Sequence, residues 1–402
     1  MEQAPTAGLS TPVTELDARL RELQRRLQAR AVDGALILQN ADLFYYAGTV
    51  QQSHLYVPAE GEPTLFVRRV LERARAESAL AAIVPLASPK ELGEALLRRY
   101  GALPQRLGLE LDVLPVDRLH KLQRQLPGIL PVDVSPDIVG QRAIKSEYEI
   151  GLLRQSAAIA DAVCERLPEL LREGLTEAEF AGKVEAEARA LGHEGIIRMR
   201  GFNQEMFYGQ LLVGPNGSVA SFLDTPLGGS GLSAAVAQGV GMRRIGRGEP
   251  VVFDFVPVRH GYITDFTRIL SLGPLPVQLR SAYEVALRIQ AAVVEAARPG
   301  APCRALYQIA VAAAERAGLG EHFMGYGTTR VRFLGHGVGL ELDELPVIAA
   351  NDTALQAGMV FALEPKFVFP GVGAVGIENT WCVRPGGLER LTLSSEELRE
   401  LP

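Results

Sequence analysis

Acidic residues interrupt the most apolar stretches of the C-terminal part of the sequence. The run VVFDFVPVRHGYITDFTRIL contains Asp254 and Asp265 among residues that otherwise predict two buried strands around a glycine turn. Two later runs, MVFALEPKF and VGIENTW, each place a glutamate, Glu364 or Glu378, in a similar setting. A buried carboxylate is costly unless a positive group pairs with it. If these four strands are neighbours, the four acids converge, and like charges that close need a cation to hold them.

The four acids predict a metal site, and one histidine is a candidate for a nitrogen ligand. Hard divalent cations prefer carboxylate oxygens, and a pair of metal ions that share carboxylates is a known device of hydrolases. In RFLGHGVGLELDELP, His336 lies between glycines, where the backbone can bend tightly and expose the imidazole. Taken singly, such residues are more often solvent-facing or structural than ligands. Their combination is what predicts the site.

Composition limits the class of protein. Of the 402 residues, 47% are hydrophobic, so the chain can bury large cores, and its length favours two or more domains. The net charge of -6 comes from interspersed acids and bases, and without a basic block we expect no nucleic-acid partner. Apolar runs stay below the roughly 18 residues that a membrane span needs, so no membrane association is expected. The 3 cysteines have no CxxC pairing, which favours a cytoplasmic location.

The pattern of elements predicts two domains. Over residues 1–140, short apolar runs such as DGALIL and RLGLEL alternate with amphipathic helical segments, which predicts a small α/β domain. Within it, NADLFYYAG is interpreted as a loop. Over residues 141–402, long amphipathic helices and then blocks of strands predict an α+β domain with antiparallel sheet. Thr176 and Glu179 have the spacing of a capping box at the start of one of its helices.

The ordered set of acids and the histidine resembles the ligand set of one metallopeptidase superfamily, which includes methionine aminopeptidase, aminopeptidase P and prolidase. Asp265 follows Asp254, His336 lies in a GHG segment, Glu364 precedes a proline and Glu378 lies in a late apolar run. The resemblance implies a pita-bread catalytic domain with two divalent ions, commonly manganese, cobalt or zinc. Asp265 and Glu378 would bridge both ions, Asp254 would hold one, and His336 with Glu364 the other.

The resemblance also implies an activity. GALILQNADLFYYAG is similar to the opening of the creatinase and prolidase N-terminal domain, which methionine aminopeptidases lack, so the expected substrate is an Xaa-Pro peptide. The enzyme would hydrolyse a peptide bond near a free N-terminus, as a dipeptidase or an aminopeptidase P. A hydroxide bridging the metal ions would attack the carbonyl, with Glu364 as the candidate general base. Relatives with this N-terminal domain form dimers, so a homodimer is expected.

The sequence departs from these apparent relatives around the ligands. They usually carry a histidine before the first ligand strand, and this chain has none between His193 and His260. A second histidine usually follows the ligand histidine by seven positions, where this chain has Asp343, which becomes a catalytic candidate. Gly376 occupies a position where an arginine is common, and Asn379 one where an aspartate is frequent.

Candidate substrate residues come from two further stretches. Tyr262, or a residue of the glycine-rich stretch LLVGPNGSVASFLDTPLGGSGLSAAVAQG, is a further possible replacement for the missing histidines. Arg198 and Arg200, in GHEGIIRMRGFNQEMFYGQ, could bind a substrate carboxylate, although an ordinary strand and loop accounts for them equally well. Three functions stay open: a peptidase with rearranged proton transfer, a hydrolase or lyase of a non-peptide small substrate, or a metal-binding homologue with low turnover. The intact ligand set favours the first.

Overall fold

The chain forms two compact units. A computed structural model describes residues 10–402. One unit ends at Arg142 and the other comprises Ala143–Pro402, whereas the sequence pattern puts the division after residue 140. No helix among residues 10–402 is long and apolar enough to cross a membrane.

The first unit is a mixed six-stranded sheet with helices. Its strands are β1 (Gly34–Ile37), β2 (Ser53–Pro58), β3 (Thr64–Val67), β4 (Ile83–Pro85), β5 (Arg106–Leu109) and β6 (Leu130–Asp133). Its helices are α1 (Val13–Ala29), α2 (Asn40–Ala47), α3 (Leu71–Glu77), α4 (Leu92–Tyr100), α5 (Val116–Gln125) and α6 (Ser135–Arg142), with a 3-10 turn at Pro89–Glu91. The strand order is β4-β3-β2-β1-β5-β6. Strands β1, β2 and β3 pair antiparallel, and the other pairs are parallel.

One segment of this unit differs from its predicted structure. NADLFYYAG, interpreted as a loop, forms the helix α2. The Gln39 side chain accepts a hydrogen bond from the backbone N–H of Asp42 and so caps the first turn. Gly48, with a φ of 69°, ends the helix in the left-handed conformation. A helix this short, buried on most sides, has no clear amphipathic periodicity, and so the sequence pattern did not indicate it.

The second unit is α+β. Its helices are α7 (Glu147–Leu170), α8 (Glu177–Ala190), α9 (Val277–Ala296) and α10 (Cys303–Arg316), with 3-10 turns at Gly214–Ser218, Gly320–His322 and Gly327–Thr329. Its strands are β7 (Gly209–Val213), β8 (Val251–Phe255), β9 (Val258–Arg259), β10 (Tyr262–Ile263), β11 (Phe266–Leu272), β12 (Phe333–Gly337), β13 (Glu344–Ala349), β14 (Val360–Leu363), β15 (Lys366–Phe369), β16 (Gly373–Gly376), β17 (Asn379–Arg384), β18 (Gly387–Arg390) and β19 (Arg399–Leu401).

These strands form two main sheets. One has the order β19-β11-β8-β7 and is antiparallel except for the β11–β19 pair. The other, β13-β12-β14-β17-β18, is antiparallel throughout. Strands β9 and β10 form one hairpin, and β15 and β16 form another. The predicted antiparallel α+β unit is confirmed.

Helices cover the sheets of the second unit with two apolar cores. One core joins α7 and α8 to the sheet of β7, β8 and β11, and the other joins α9 and α10 to β14, β15, β16 and β17. Helix α8 begins with the predicted capping box of Thr176 and Glu179, and α7 begins with another, formed by Ser146 and Glu149. These cores fix the two sheets in one unit, and the sheets carry the candidate ligands.

Candidate active site

The two main sheets meet at the predicted ligands. In the ladder of β8 and β11, Asp254 lies opposite Thr267. Thr267 in turn forms a backbone bridge with Glu378, which directly precedes β17. Strand β17 pairs with β14, which ends just before Glu364, and His336 on β12 lies opposite a residue of β14. The chain therefore brings the five predicted ligands together from two sheets.

The acids do not lie where the sequence pattern placed them. The prediction put all four in the middle of strands, and this is wrong for three of them. Asp265 directly precedes β11, Glu364 follows β14 and Glu378 precedes β17, so only Asp254 lies inside a strand. Neighbouring strands lie about 4.8 Å apart, which keeps residues within the ladders separate. Strand ends at the junction of two sheets allow the carboxylates to converge more closely.

His336 is oriented for binding a cation through Nε2. Its Nδ1–H donates a hydrogen bond to the carbonyl oxygen of Leu342, at 2.9 Å. Its Nε2 faces two carboxylates, 3.8 Å from Asp265 Oδ2 and 3.9 Å from Glu364 Oε1. These distances exceed those of hydrogen bonds and leave Nε2 available as a ligand atom. The backbone is close-packed here: a Cβ atom on Gly335 would lie 2.1 Å from the carbonyl oxygen of Ala362.

Two carboxylate oxygens beside His336 have no hydrogen-bond partner among residues 10–402. They are Oδ1 of Asp265 and Oε1 of Glu378, and both residues are buried. Their acids are nevertheless held in place. Thr267 Oγ1 donates to Oε2 of Glu378 at 2.7 Å, and Thr380 Oγ1 accepts from the backbone N–H of Asp265 at 2.9 Å. Buried polar atoms without partners are rare in folded proteins, and a bound ion or water molecule would satisfy them.

A lysine that the sequence analysis missed lies among the acids. Lys366 is 2% exposed, and its Nζ lies 2.7 Å from Asp254 Oδ2, 2.7 Å from Glu364 Oε2 and 2.9 Å from Glu378 Oε2. We call Lys366 and these three oxygens the lysine half of the site. The histidine half consists of Asp265, His336 and Oε1 of Glu378.

Burial and mutual repulsion set the electrostatics of the site. Burial raises the pKa of Asp254 to about 6, with the charge of Lys366 partly opposing the rise. Burial, and then the charges of Glu378 and Asp254, raise the pKa of Asp265 well above its usual range. For His336, burial lowers the pKa, but the charges of the nearby acids, Glu364 first, raise it overall. Acids whose negative charge is this costly attract a cation strongly.

A repeated spacing of two residues supplies the polar neighbours of the ligands. Lys366 follows Glu364, Thr267 follows Asp265 and Thr380 follows Glu378, each by two positions. In an extended chain, side chains two positions apart point to the same face. This spacing, with a lysine inside the apolar run FALEPKFVF, is the sequence signal that could have identified Lys366.

Asp343 lies at the edge of the site. It is exposed, and it follows Leu342, whose carbonyl oxygen accepts the hydrogen bond from His336. Its charge contributes to the raised pKa of His336. The backbone N–H of Leu342 donates to the carbonyl oxygen of Arg198, and Nη1 of Arg200 lies 3.4 Å from Oε2 of Glu341. The segment of the two predicted arginines therefore lies beside the segment that carries Asp343.

Tyr262 and Asn379 occupy buried positions with defined partners. Tyr262, on β10, donates its hydroxyl hydrogen bond to Oε1 of Glu149 in α7, at 3.0 Å. Asn379 donates to Gln290 and accepts from Arg268, each at 2.8 Å. Asn379 thus helps to anchor the start of β17, next to Glu378. The amide suits this role because its nitrogen donates while its oxygen accepts.

The residues of the histidine half fit a divalent cation. One ligand atom from each of Asp265, His336 and Glu378 lies within 4.8 Å of the others. Two carboxylates and one imidazole are ligands that such ions accept, and the oxygens without partners would be satisfied by the ion. In the lysine half, an ammonium group already bonds the oxygens that a second ion would need.

Comparisons with known proteins identify the family of both domains. Residues 151–385 match the model of metallopeptidase family M24, and residues 19–144 match the creatinase/prolidase N-terminal domain. The Xaa-Pro dipeptidase of Pyrococcus furiosus is 31% identical over 94% of this chain and 99% of that protein, and that of Pyrococcus horikoshii is 30% identical over 95% and 99%.

Solved structures show the same architecture. The prolidase from Pyrococcus horikoshii OT3 superposes with a TM-score of 0.79 at 27% identity, covering 95% of this chain and 99% of that one. An Xaa-Pro dipeptidase from Bacillus anthracis has a TM-score of 0.82 at 25% identity, covering 96% of this chain and 100% of that one. The predicted creatinase-type N-terminal domain and pita-bread catalytic domain are confirmed. The chain belongs to metallopeptidase family M24.

Proposed function

We propose that this metallopeptidase hydrolyses Xaa-Pro peptide bonds with a divalent metal ion in the histidine half. The observation that carries the proposal is the set of ligand atoms on Asp265, His336 and Glu378, with two buried oxygens that have no partner among residues 10–402. The Xaa-Pro preference is supported by the names of the relatives, which are dipeptidases acting on Xaa-Pro.

A divalent ion bound there supplies a Lewis acid, which polarises a carbonyl and makes a water molecule more acidic. The resemblance predicts two ions, chosen from manganese, cobalt and zinc. The donor set of two carboxylates and one imidazole is compatible with all three of these metals. Asp254 and Glu364 complete the predicted set of five ligands.

The protein residues around this ion have separate roles in the proposed reaction. Glu364 is the general base: its Oε1 lies on the side of His336, where it can accept a proton from water. Lys366 bonds the other oxygen of Glu364 and fixes the orientation of the carboxylate. The hydrogen bond from His336 to Leu342 holds the imidazole with Nε2 towards the acids.

Asp343, Arg198, Arg200 and Tyr262 stay candidates for substrate binding and proton transfer. The position of Asp343 next to Leu342 supports a role in proton transfer at the rim of the site. Arg200, half-buried beside Glu341, supports binding of a carboxylate less directly, because an acid already lies close to it. Tyr262 bonds Glu149, so a role towards substrate would need that hydrogen bond to be shared.

A homodimer and a cytoplasmic location also stay predictions. The homodimer rests on the resemblance through the N-terminal domain. The location rests on the cysteine pattern, and all three cysteines are buried and free of disulfides. Sedimentation velocity would measure the oligomeric state directly.

The function is tested by hydrolysis of Xaa-Pro dipeptides and Xaa-Pro-Yaa tripeptides. Metal-stripped protein is assayed alone and after addition of manganese, cobalt or zinc. We expect turnover only with metal, and the length preference distinguishes a dipeptidase from an aminopeptidase P. Binding of metal without hydrolysis of any peptide would contradict the proposal. That result would leave the two alternatives, a non-peptide hydrolase or lyase and a metal-binding homologue of low turnover.

A further inference from the structure

In the lysine half, carboxylate oxygens surround the ammonium group of Lys366 as they would surround a bound metal ion. The ammonium of Lys366 is surrounded by one carboxylate oxygen each from Asp254, Glu364 and Glu378, at 2.7 to 2.9 Å. These acids come from three separate strands or strand ends of the second unit. A divalent ion would have to bind the same oxygens at about 2.0–2.2 Å, which is inside the volume that Nζ occupies.

The backbone next to Lys366 is shaped to admit its side chain. Lys366 on β15 lies directly opposite Gly376 on β16. A Cβ atom on Gly376 would lie 2.6 Å from Cγ of Lys366 and 2.7 Å from the carbonyl oxygen of Pro365. Any larger residue at this position would displace the lysine stem or the backbone. The glycine that replaces the expected arginine is therefore what allows the lysine to reach the acids.

In the histidine half, Asp265 forms no ion pair with a lysine or arginine among residues 10–402. The imidazole of His336 faces it, with Nε2 3.8 Å from Asp265 Oδ2. The oxygens Oδ1 of Asp265 and Oε1 of Glu378 have no hydrogen-bond partner among residues 10–402. The two halves share Glu378, which gives one oxygen to each.

We infer that the ammonium of Lys366 is a built-in cation that takes the place of one of the two metal ions. The chain binds one divalent ion tightly, in the histidine half, and a second ion binds only when the ammonium leaves the acids. This inference rests on the metal site of the proposed function. It adds that one ion binds tightly and that Lys366 determines this number. Charge alone does not set the number, because four carboxylates exceed the charge of one divalent ion and one ammonium. The number of bound ions is set by the hydrogen bonds that Lys366 forms with the acids and by the space that its ammonium group occupies.

The first test is the number of manganese ions bound per chain. Metal-stripped full-length protein is titrated calorimetrically, and bound manganese is counted by native mass spectrometry. We expect one tight site in the wild type, one in Lys366→Arg and two in Lys366→Met, which keeps most of the length of the side chain and removes its ammonium group. Two sites of similar affinity in the wild type would overturn the inference. A single manganese site in Lys366→Met would also overturn the inference, provided that the far-ultraviolet circular dichroism spectrum of the variant matches that of the wild type and so shows that it is folded.

The second test compares two acids from the two halves and does not depend on how Lys366 variants fold. Asp265→Asn should lose the tight manganese site. Asp254→Asn should keep it, with a manganese affinity lowered by no more than about 10–100-fold, the range for an outer partner of a metal ligand. Equal losses in the two variants would overturn the inference, because Asp254 would then be a ligand of the tightly bound ion.

These readouts separate the inference from the proposed function. One manganese ion bound per chain without hydrolysis of Xaa-Pro peptides supports the inference and contradicts the proposed function. Two tight ions with hydrolysis contradict the inference and support the proposed function.

Discussion

Both compact units bury acids, but they satisfy them differently. In the first unit, Asp42 Oδ1 lies 2.6 Å from Nη1 of the buried Arg142. Glu110 accepts hydrogen bonds from the backbone N–H groups of Leu38 and Gln39. In the second unit, Asp265 and Glu378 each keep one buried oxygen without a partner among residues 10–402. A buried acid is therefore not by itself a functional signal, whereas a buried acid with an unsatisfied oxygen is.

The comparison also holds inside the second unit. Glu177, the first residue of α8, is fully buried, yet it accepts hydrogen bonds from the backbone of Val213 and Gly241 and from the side chain of Asn216. It anchors the start of α8 to the end of β7 and to the loop that contains Gly241. An acid of this kind is structural. The lysine half is similar, because Lys366 bonds one oxygen of each of its three acids.

The largest expected effect is that of Asp265→Asn. Changing an outer partner of a metal ligand costs about 10–100-fold, so replacing a ligand of the tightly bound ion should lower kcat/KM at least about 1000-fold. The free energy of unfolding of the metal-free protein should not fall, because the substitution removes a buried negative charge. Steady-state kinetics and urea denaturation measure the two quantities. Full activity of a folded, metal-loaded variant would break the distinction between satisfied and unsatisfied acids.

Asp42→Ala should lower the stability of the protein and leave its metal affinity unchanged, the reverse of Asp265→Asn. The substitution removes the carboxylate partner of buried Arg142, and breaking a buried ion pair costs roughly 3–5 kcal/mol of stability. Manganese affinity per folded chain should not change, because Asp42 lies in the other unit. Urea denaturation and calorimetric titration are the measurements. A loss of metal affinity in the folded variant, without a loss of stability, would contradict the assignment of Asp42 as structural.

Asp254 should make the stability of the metal-free protein depend on pH. An unfolded aspartate titrates near pH 4, and the pKa of Asp254 in the folded chain is about 6. The contribution of Asp254 to the free energy of unfolding is therefore fully present below about pH 4. It is lost as the pH rises through about 6, by on the order of 3 kcal/mol. The unfolding free energy of the wild type relative to Asp254→Asn should fall by this amount between pH 4 and pH 7. A constant difference would mean that Lys366 fully offsets the burial of Asp254.

Asp343→Ala should have the smallest effect. Asp343 is exposed, and exposed charges act weakly through water. We therefore expect the fall in kcat to be limited to about tenfold. The pKa of His336 should also fall, because one of the charges that raise it is removed. Steady-state kinetics measures kcat, and NMR titration of the metal-free protein measures the pKa of His336, with Asp343→Asn as the matched variant. An unchanged kcat would remove Asp343 from the mechanism.

The acids that converge at the candidate site could be predicted from the sequence because acids in apolar runs conflict with the energetics of burial. That conflict pointed to Asp254, Asp265, Glu364 and Glu378 without any contact information, and their binding of metal stays a prediction. The positions of Asp265 and Glu378 before the starts of β11 and β17 could not be predicted, because apolar residues lie on both sides of each acid. For Glu364, Pro365 directly after it was a strand-breaking signal that the prediction did not use.

Lys366 escaped prediction for a physical reason. A lysine beside a glutamate in sequence is usually solvent-exposed, and only the three-dimensional convergence of three acids stabilises a buried ammonium. The helix α2 was missed because its cap is a glutamine side chain and its apolar residues do not follow a helical period. Local patterns thus identified the acids, and tertiary packing determined how each one is satisfied.

The most direct test of the account is the rate of Xaa-Pro dipeptide hydrolysis as a function of manganese bound per chain. We expect no hydrolysis in metal-stripped protein and a rate that rises in proportion to bound manganese and saturates at one ion per chain. Hydrolysis by the stripped protein, or a rate that appears only as a second ion binds, would contradict this expectation.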